Sequence, residues 1–93
     1  MKFKIFSIFD SKAETYNTPI FLAAEGQAIR AFDDMVNDDT QAISKHPEDY
    51  TLFIIGEFDS DVGLVTPLNT PRSLGVAIEF IKNQSPLSDA QLK

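Results

Sequence analysis

The chain carries one histidine, His46, and no cysteine. Nucleophilic catalysis would have to run through a hydroxyl activated by His46, with a carboxylate to orient the ring. Ser44 lies two residues before His46, but no glycine-flanked strand-to-helix turn surrounds it to expose a catalytic serine. His46 stands before Pro47 and reads as a surface histidine entering a turn. Oxygen-ligand metal chemistry is the next option. Asp59 and Asp61, with Glu57 on the preceding strand and the Asp33–Asp34 pair elsewhere, could offer carboxylates to a hard cation. A calcium loop opening at Asp59 needs a glutamate at its twelfth position, and Thr70 stands there. Aspartate is also a regular hairpin-turn residue. The glycines stand apart at 26, 56, 63 and 75, which excludes a loop that cradles phosphates. No catalytic residue, metal or cofactor is expected, and the chain reads as a binding protein rather than an enzyme.

Recognition by a surface remains. Single-stranded nucleic acid is held by aromatic rings beside positive charge. Lys2, Lys4 and Phe6 alternate on one side of a strand, where a ring could stack on a base and the lysines could meet phosphate. The same lysines could equally protect a sheet edge. Against 8 lysines and arginines stand 14 acidic residues, for a net charge of -6. A surface that is basic throughout is excluded, so nucleic-acid binding would require the cations to segregate. Eight phenylalanines in 93 residues are generous for one small core. Surplus apolar surface of this kind favours self-association into a homodimer.

The elements that must position these residues follow from periodicity. Residues 3–9 alternate as a strand with aromatics on both faces. Residues 10–17 are a polar loop, and 19–22 a short strand whose proline suits a start or an edge. Residues 25–37 place Ala28, Ile29, Phe32, Met35 and Val36 on one helical stripe. Asp33, Asp34, Asp38 and Asp39 crowd its C-terminal end, where the dipole disfavours them, so the helix should end after Val36. Residues 47–50 form a turn. Residues 51–58 form a second strong strand with a bulge at Gly56, and 59–63 a hairpin loop with Gly63 at positive φ. Residues 64–66 return as a strand that Pro67 stops. Thr70 and Pro71 open a second helix as cap and first position, with Leu74, Ala77, Ile78 and Ile81 as its stripe. Asn83 and Pro86 end it.

The expected fold is α+β, one domain over residues 1–84 with a flexible polar tail at 85–93. It is a mainly antiparallel four-stranded sheet with both helices on one face, built as strand–strand–helix twice. No stretch is long and apolar enough to cross a membrane, and the start has no cleavable leader pattern. The lack of cysteine agrees with a reducing compartment.

Four segments in order carry a family resemblance: KFKIFSIFDSKA at 2–13, GQAIRAF at 26–32, SKHPEDYTLF at 44–53 followed by GEFD at 56–59, and TPRSLGVAIEF at 70–80. Together they resemble the small non-structural protein of microviruses of the gokushovirus group. That resemblance covers residues 2 to 82. It implies a bacteriophage protein made in the host bacterial cytoplasm and absent from the mature capsid. It further implies a part in DNA replication, at the switch toward single-strand synthesis. Partners would then be single-stranded DNA, with Lys2, Lys4, Phe6, Lys12, Arg30 and Arg72 as candidate contacts, or phage and host replication proteins. The alternative is a self-associating interaction module that recruits or restrains a replication or assembly factor.

Overall fold

A computed structural model describes residues 1–82. Its centre is a pair of long antiparallel strands, β1 (Lys2–Asp10) and β4 (Tyr50–Asp59). The short strands β2 (Thr15–Tyr16) and β3 (Ile20–Leu22) both pair with the outer edge of β1. β5 (Leu64–Val76) closes the other edge against β4. The main helix, α1 (Glu25–Val36), crosses one face, and a four-residue helix, α2 (Ala42–Lys45), follows it. Two 3-10 turns, Pro47–Asp49 and Ala77–Phe80, complete the order. Among the described residues no helix is long and apolar enough to cross a membrane.

The α+β class and the antiparallel sheet agree with the sequence. The core forms where cross-strand pairs meet α1. Phe6 lies opposite Ile54 and Ile8 opposite Leu52. Onto them α1 lays Ala28, Phe32 and Val36, with Ile43 and Ala77 closing the cluster. The α1 positions are spaced by four, which keeps them on one side of the helix. Burying each phenylalanine in this layer contributes about 1.5–3 kcal/mol. At the start of α1, the Ala24 N–H donates to Gln27 Oε1 at 3.1 Å. At its end, after Val36 as expected, Asn37 Nδ2 donates to the carbonyls of Asp33 and Phe80, each at 2.9 Å. Asn37 Oδ1 in turn accepts the Lys82 N–H at 3.0 Å, which ties the end of α1 to the chain after β5.

The second half departs from the strand–strand–helix repeat. Pro67 does not stop the strand, and Thr70–Pro71 does not open a helix. The ladder runs from Asp59↔Leu64 to Gly56↔Pro67, and resumes from Ile54↔Arg72 to Thr51↔Val76. Residues 68–71 bow out between those two stretches. Had β5 ended at Pro67, half of the β4 edge would have lost its hydrogen-bond partners. Both prolines are tolerated because β5 is an edge strand. Gly75 sits at φ +145, a conformation no helix contains, and only Ala77–Phe80 turns helically. The stripe of Leu74, Ala77, Ile78 and Ile81 was thus too short a pattern to decide between helix and strand. The loop after β1 also pairs briefly as β2. The expected polar tail lies outside the described residues.

β4 does carry its bulge beside Gly56. The β1 register passes from Ile5↔Gly56 to Phe6↔Ile54, leaving Ile55 as the extra residue. A Cβ on Gly56 would come within 2.9 Å of the Thr66 carbonyl oxygen and 3.2 Å of Pro67 Cα, so β5 crosses directly over it. The β4–β5 turn is as read: Gly63 has φ 69, and its N–H donates to the Asp59 carbonyl at 2.8 Å.

Candidate functional site

The register places Lys2 and Lys4 on the side of β1 that faces α1, together with Phe6 and Ile8. Lys4 lies opposite Glu57, and Lys2 Nζ stands 3.8 Å from Glu57 Oε1. Arg72 shares this side, since it pairs with Ile54. Its guanidinium donates to the Glu25 carboxylate at the start of α1. Lys4, Glu25, Glu57 and Arg72 line one cavity of about 290 Å³, whose apolar wall is Ile54, Pro67 and Leu68. Three of the six proposed contacts therefore meet at one end of the molecule. Each already faces a carboxylate, so the local charge is nearly balanced.

The other three do not join them. Phe6 is fully buried at the centre of the core and cannot stack on a base, which corrects the reading of Lys2, Lys4 and Phe6 as one binding face. The alternation was read correctly, but α1 covers the position that Phe6 holds. Lys12 lies in the β1–β2 turn, where its N–H donates to Asp10 Oδ1 at 3.0 Å. That is beyond the far end of β1 from Lys4, with roughly 20 Å of strand between them. Arg30 is exposed on α1, two residues from buried Ala28 and Phe32, and so on the helix side away from the sheet.

The candidate acids of the hairpin have local work. Asp59 Oδ1 accepts the Asp61 N–H at 3.0 Å, and Asp61 pairs with the amino terminus at 3.0 Å. His46 caps the short turn after α2, accepting the Asp49 N–H on its carbonyl at 3.0 Å. His46, Glu48 and Asp49 bring one ligand atom each to within 4.8 Å of one another, a grouping the sequence reading passed over. They sit on a surface turn, where three ligand atoms would leave most of a hard cation's shell to water. Asp38 opens the turn before α2 by accepting Thr40 Oγ1 at 2.7 Å and the Thr40 N–H at 3.0 Å, and these bonds hold its carboxyl below the usual range.

The opposite side of the sheet carries the second set of aromatics that the alternation of β1 implies. Six rings stand on it in two groups. Phe58 stacks with Phe3 at a centroid distance of 6.3 Å and meets Phe21 edge-on at 5.7 Å. Tyr16 tilts against Phe9 at 4.8 Å and meets Phe53 edge-on at 5.6 Å. The signal was present in the odd-numbered positions of β1, since Phe3, Ile5 and Phe9 share that side.

Fold and surface together define a small α+β domain with its strand charges on one side of the sheet and an uncharged cluster of six aromatic rings on the other. The chain belongs to the phage ORF5 protein family, whose model matches residues 3–80. It is 38% identical over 68 residues to Protein ORF5 of Chlamydia phage 1, a match spanning 69% of this chain and 71% of that protein. It is thus a small microvirus-type phage protein, as the four ordered segments implied. No solved structure matches it.

Proposed function

We propose that this chain is a non-catalytic accessory protein of phage genome replication, acting in the host bacterial cytoplasm by binding single-stranded DNA through its backbone. The observation that carries the reading is that Lys4 and Arg72 line one cavity at the start of α1, with Lys2 beside it on Glu57. Phosphate contact of this kind positions a strand without reading its sequence. Because Glu25 and Glu57 already face these cations, a phosphate must compete with a carboxylate. Binding is therefore weak and falls steeply with salt. Phe6 has no part in it. The test is a fluorescence-anisotropy titration of a labelled single-stranded oligonucleotide at low salt, with Lys4→Gln and Arg72→Gln as variants. Loss of binding in both variants, with the fold intact, supports the reading. No binding by the native chain removes it.

A second reading is favoured by the same balanced charges and by the net charge of -6. The chain would then meet a replication or assembly protein rather than DNA. Chemical crosslinking to the purified phage replication initiator, with no oligonucleotide binding, is the outcome that selects it.

A further inference from the structure

α1, α2 and both 3-10 turns pack on one side of the sheet. The other side is left to its six aromatic rings, and it has three properties in common with a protein interface. First, it has no charge: every strand residue that the register turns to this side is apolar, a small hydroxyl residue or glycine. Second, it is exposed. Tyr16 is 42%, Phe21 46%, Val65 54% and Leu68 39% accessible. Third, it is concave. A shallow groove of about 440 Å³ lies on it beside Tyr16, lined by Ser7, Ile55, Pro19, Pro67 and Leu68.

The polar atoms at the base are already satisfied. Ser7 Oγ donates to the Asn17 carbonyl at 2.8 Å, and the Ile8 N–H donates to Asn17 Oδ1 at 2.9 Å. The groove thus has little hydrogen bonding to offer a nucleotide base, and it has no cation for a phosphate. We propose that a second copy of this chain covers the aromatic face, forming a homodimer. Charge decides in favour of that occupant. A chain of net charge -6 repels its own copy overall, and this side of the sheet, whose strand residues carry no carboxylate, is where two copies can meet without facing like charges. Exposure agrees. Tyr16, Phe21 and Val65 are each about half exposed, and part-exposed Phe3, Phe9, Phe53 and Phe58 lie beside them, so the apolar surface is a continuous patch of the kind that marks an interface. A two-fold axis lets the same uncharged surface serve both copies. The dimer leaves Lys2, Lys4 and Arg72 on its outer sides, so it does not depend on the DNA reading.

The test is sedimentation equilibrium of the full chain at about 1–100 µM. Two variants place a charge on exposed positions of the face, Phe21→Asp and Val65→Lys. Arg30→Gln, on the outer side of α1, is the control. Circular dichroism checks that each variant is folded. The dimer is expected for the native chain and for Arg30→Gln. Each face variant should raise the dissociation constant more than ~100-fold, because it buries an unpaired charge. A native chain that is monomeric throughout, with the face free or taken by another protein, overturns the proposal. So does a dimer that both folded face variants still form.

Discussion

Replacing Phe6 by alanine separates the two roles that this residue could have had. The side chain is fully buried against Ile54 and the α1 layer, so truncation removes a whole ring from the core. A change of this type costs about 3–5 kcal/mol, as lost transfer energy plus the cavity left behind. A domain of this size has a total stability near the low end of about 5–15 kcal/mol. With a urea dependence of about 1 kcal/mol per molar, the midpoint should fall by about 3 M or more. The companion variant is Phe21→Ala, whose ring is 46% exposed and loses mainly its edge contact with Phe58. It should cost less than about 1.5 kcal/mol. Urea unfolding followed by circular dichroism at low protein concentration makes the comparison, since association would otherwise add to stability. A Phe6→Ala chain within about 1 kcal/mol of the native one would refute the reasoning. So would a Phe21→Ala chain that loses more stability than Phe6→Ala.

Two further outcomes follow from local geometry. Gly75→Ala should destabilise by about 2–4 kcal/mol. Its φ is +145, and the new Cβ would lie 2.8 Å from Phe80 Cε1, while Gly26→Ala meets nothing within 4 Å and should leave α1 as stable or more so. Thermal unfolding ranks the pair, and equal effects would contradict the glycine assignments. Burial, with the negative charges of Asp10 and Asp49 beside it, raises the Tyr50 phenol above its ordinary value of 10.0. The folded state then holds that proton more tightly than the unfolded state. This contribution to stability is present below the unfolded midpoint and is lost as pH rises through the folded one. In a Tyr16→Phe background, ultraviolet absorbance should show Tyr50 titrating above 10.0, and a midpoint at or below it would contradict the placement.

Local signals were legible where the sequence pattern was long or chemically marked. The twelve residues of α1, residues 51–58 of β4 and the Gly63 turn were all readable, because period and turn chemistry agreed there. Residues 70–76 misled because threonine, proline and a short apolar stripe imitate a helix start. What settled the matter was non-local: the unpaired edge of β4, and the conformation of Gly75. The candidate site divides in the same way. Alternation put Lys2, Lys4 and Phe6 together, and the register keeps all three on one side. Only the packing of α1 shows that Phe6 faces inward. Arg72 joins Lys4 through strand pairing across more than sixty residues, which no local pattern encodes. The aromatic face draws one ring from each of two short strands, β2 and β3. Those strands form because β1 offers an open edge, so their rings could not be assigned a side from sequence.

The most direct test of the replication role is the salt dependence of single-stranded oligonucleotide binding. Single strands release counterions at about 0.7 per phosphate neutralised, so three contacts predict a logarithmic slope near -2 for each chain. The slope should fall by about 0.7 in Lys4→Gln and again in Arg72→Gln, while Lys12→Gln, at the far end of β1, should keep the native value. A native chain that shows no binding at low salt would contradict the claim, as would a slope that Lys12→Gln lowers and Lys4→Gln does not.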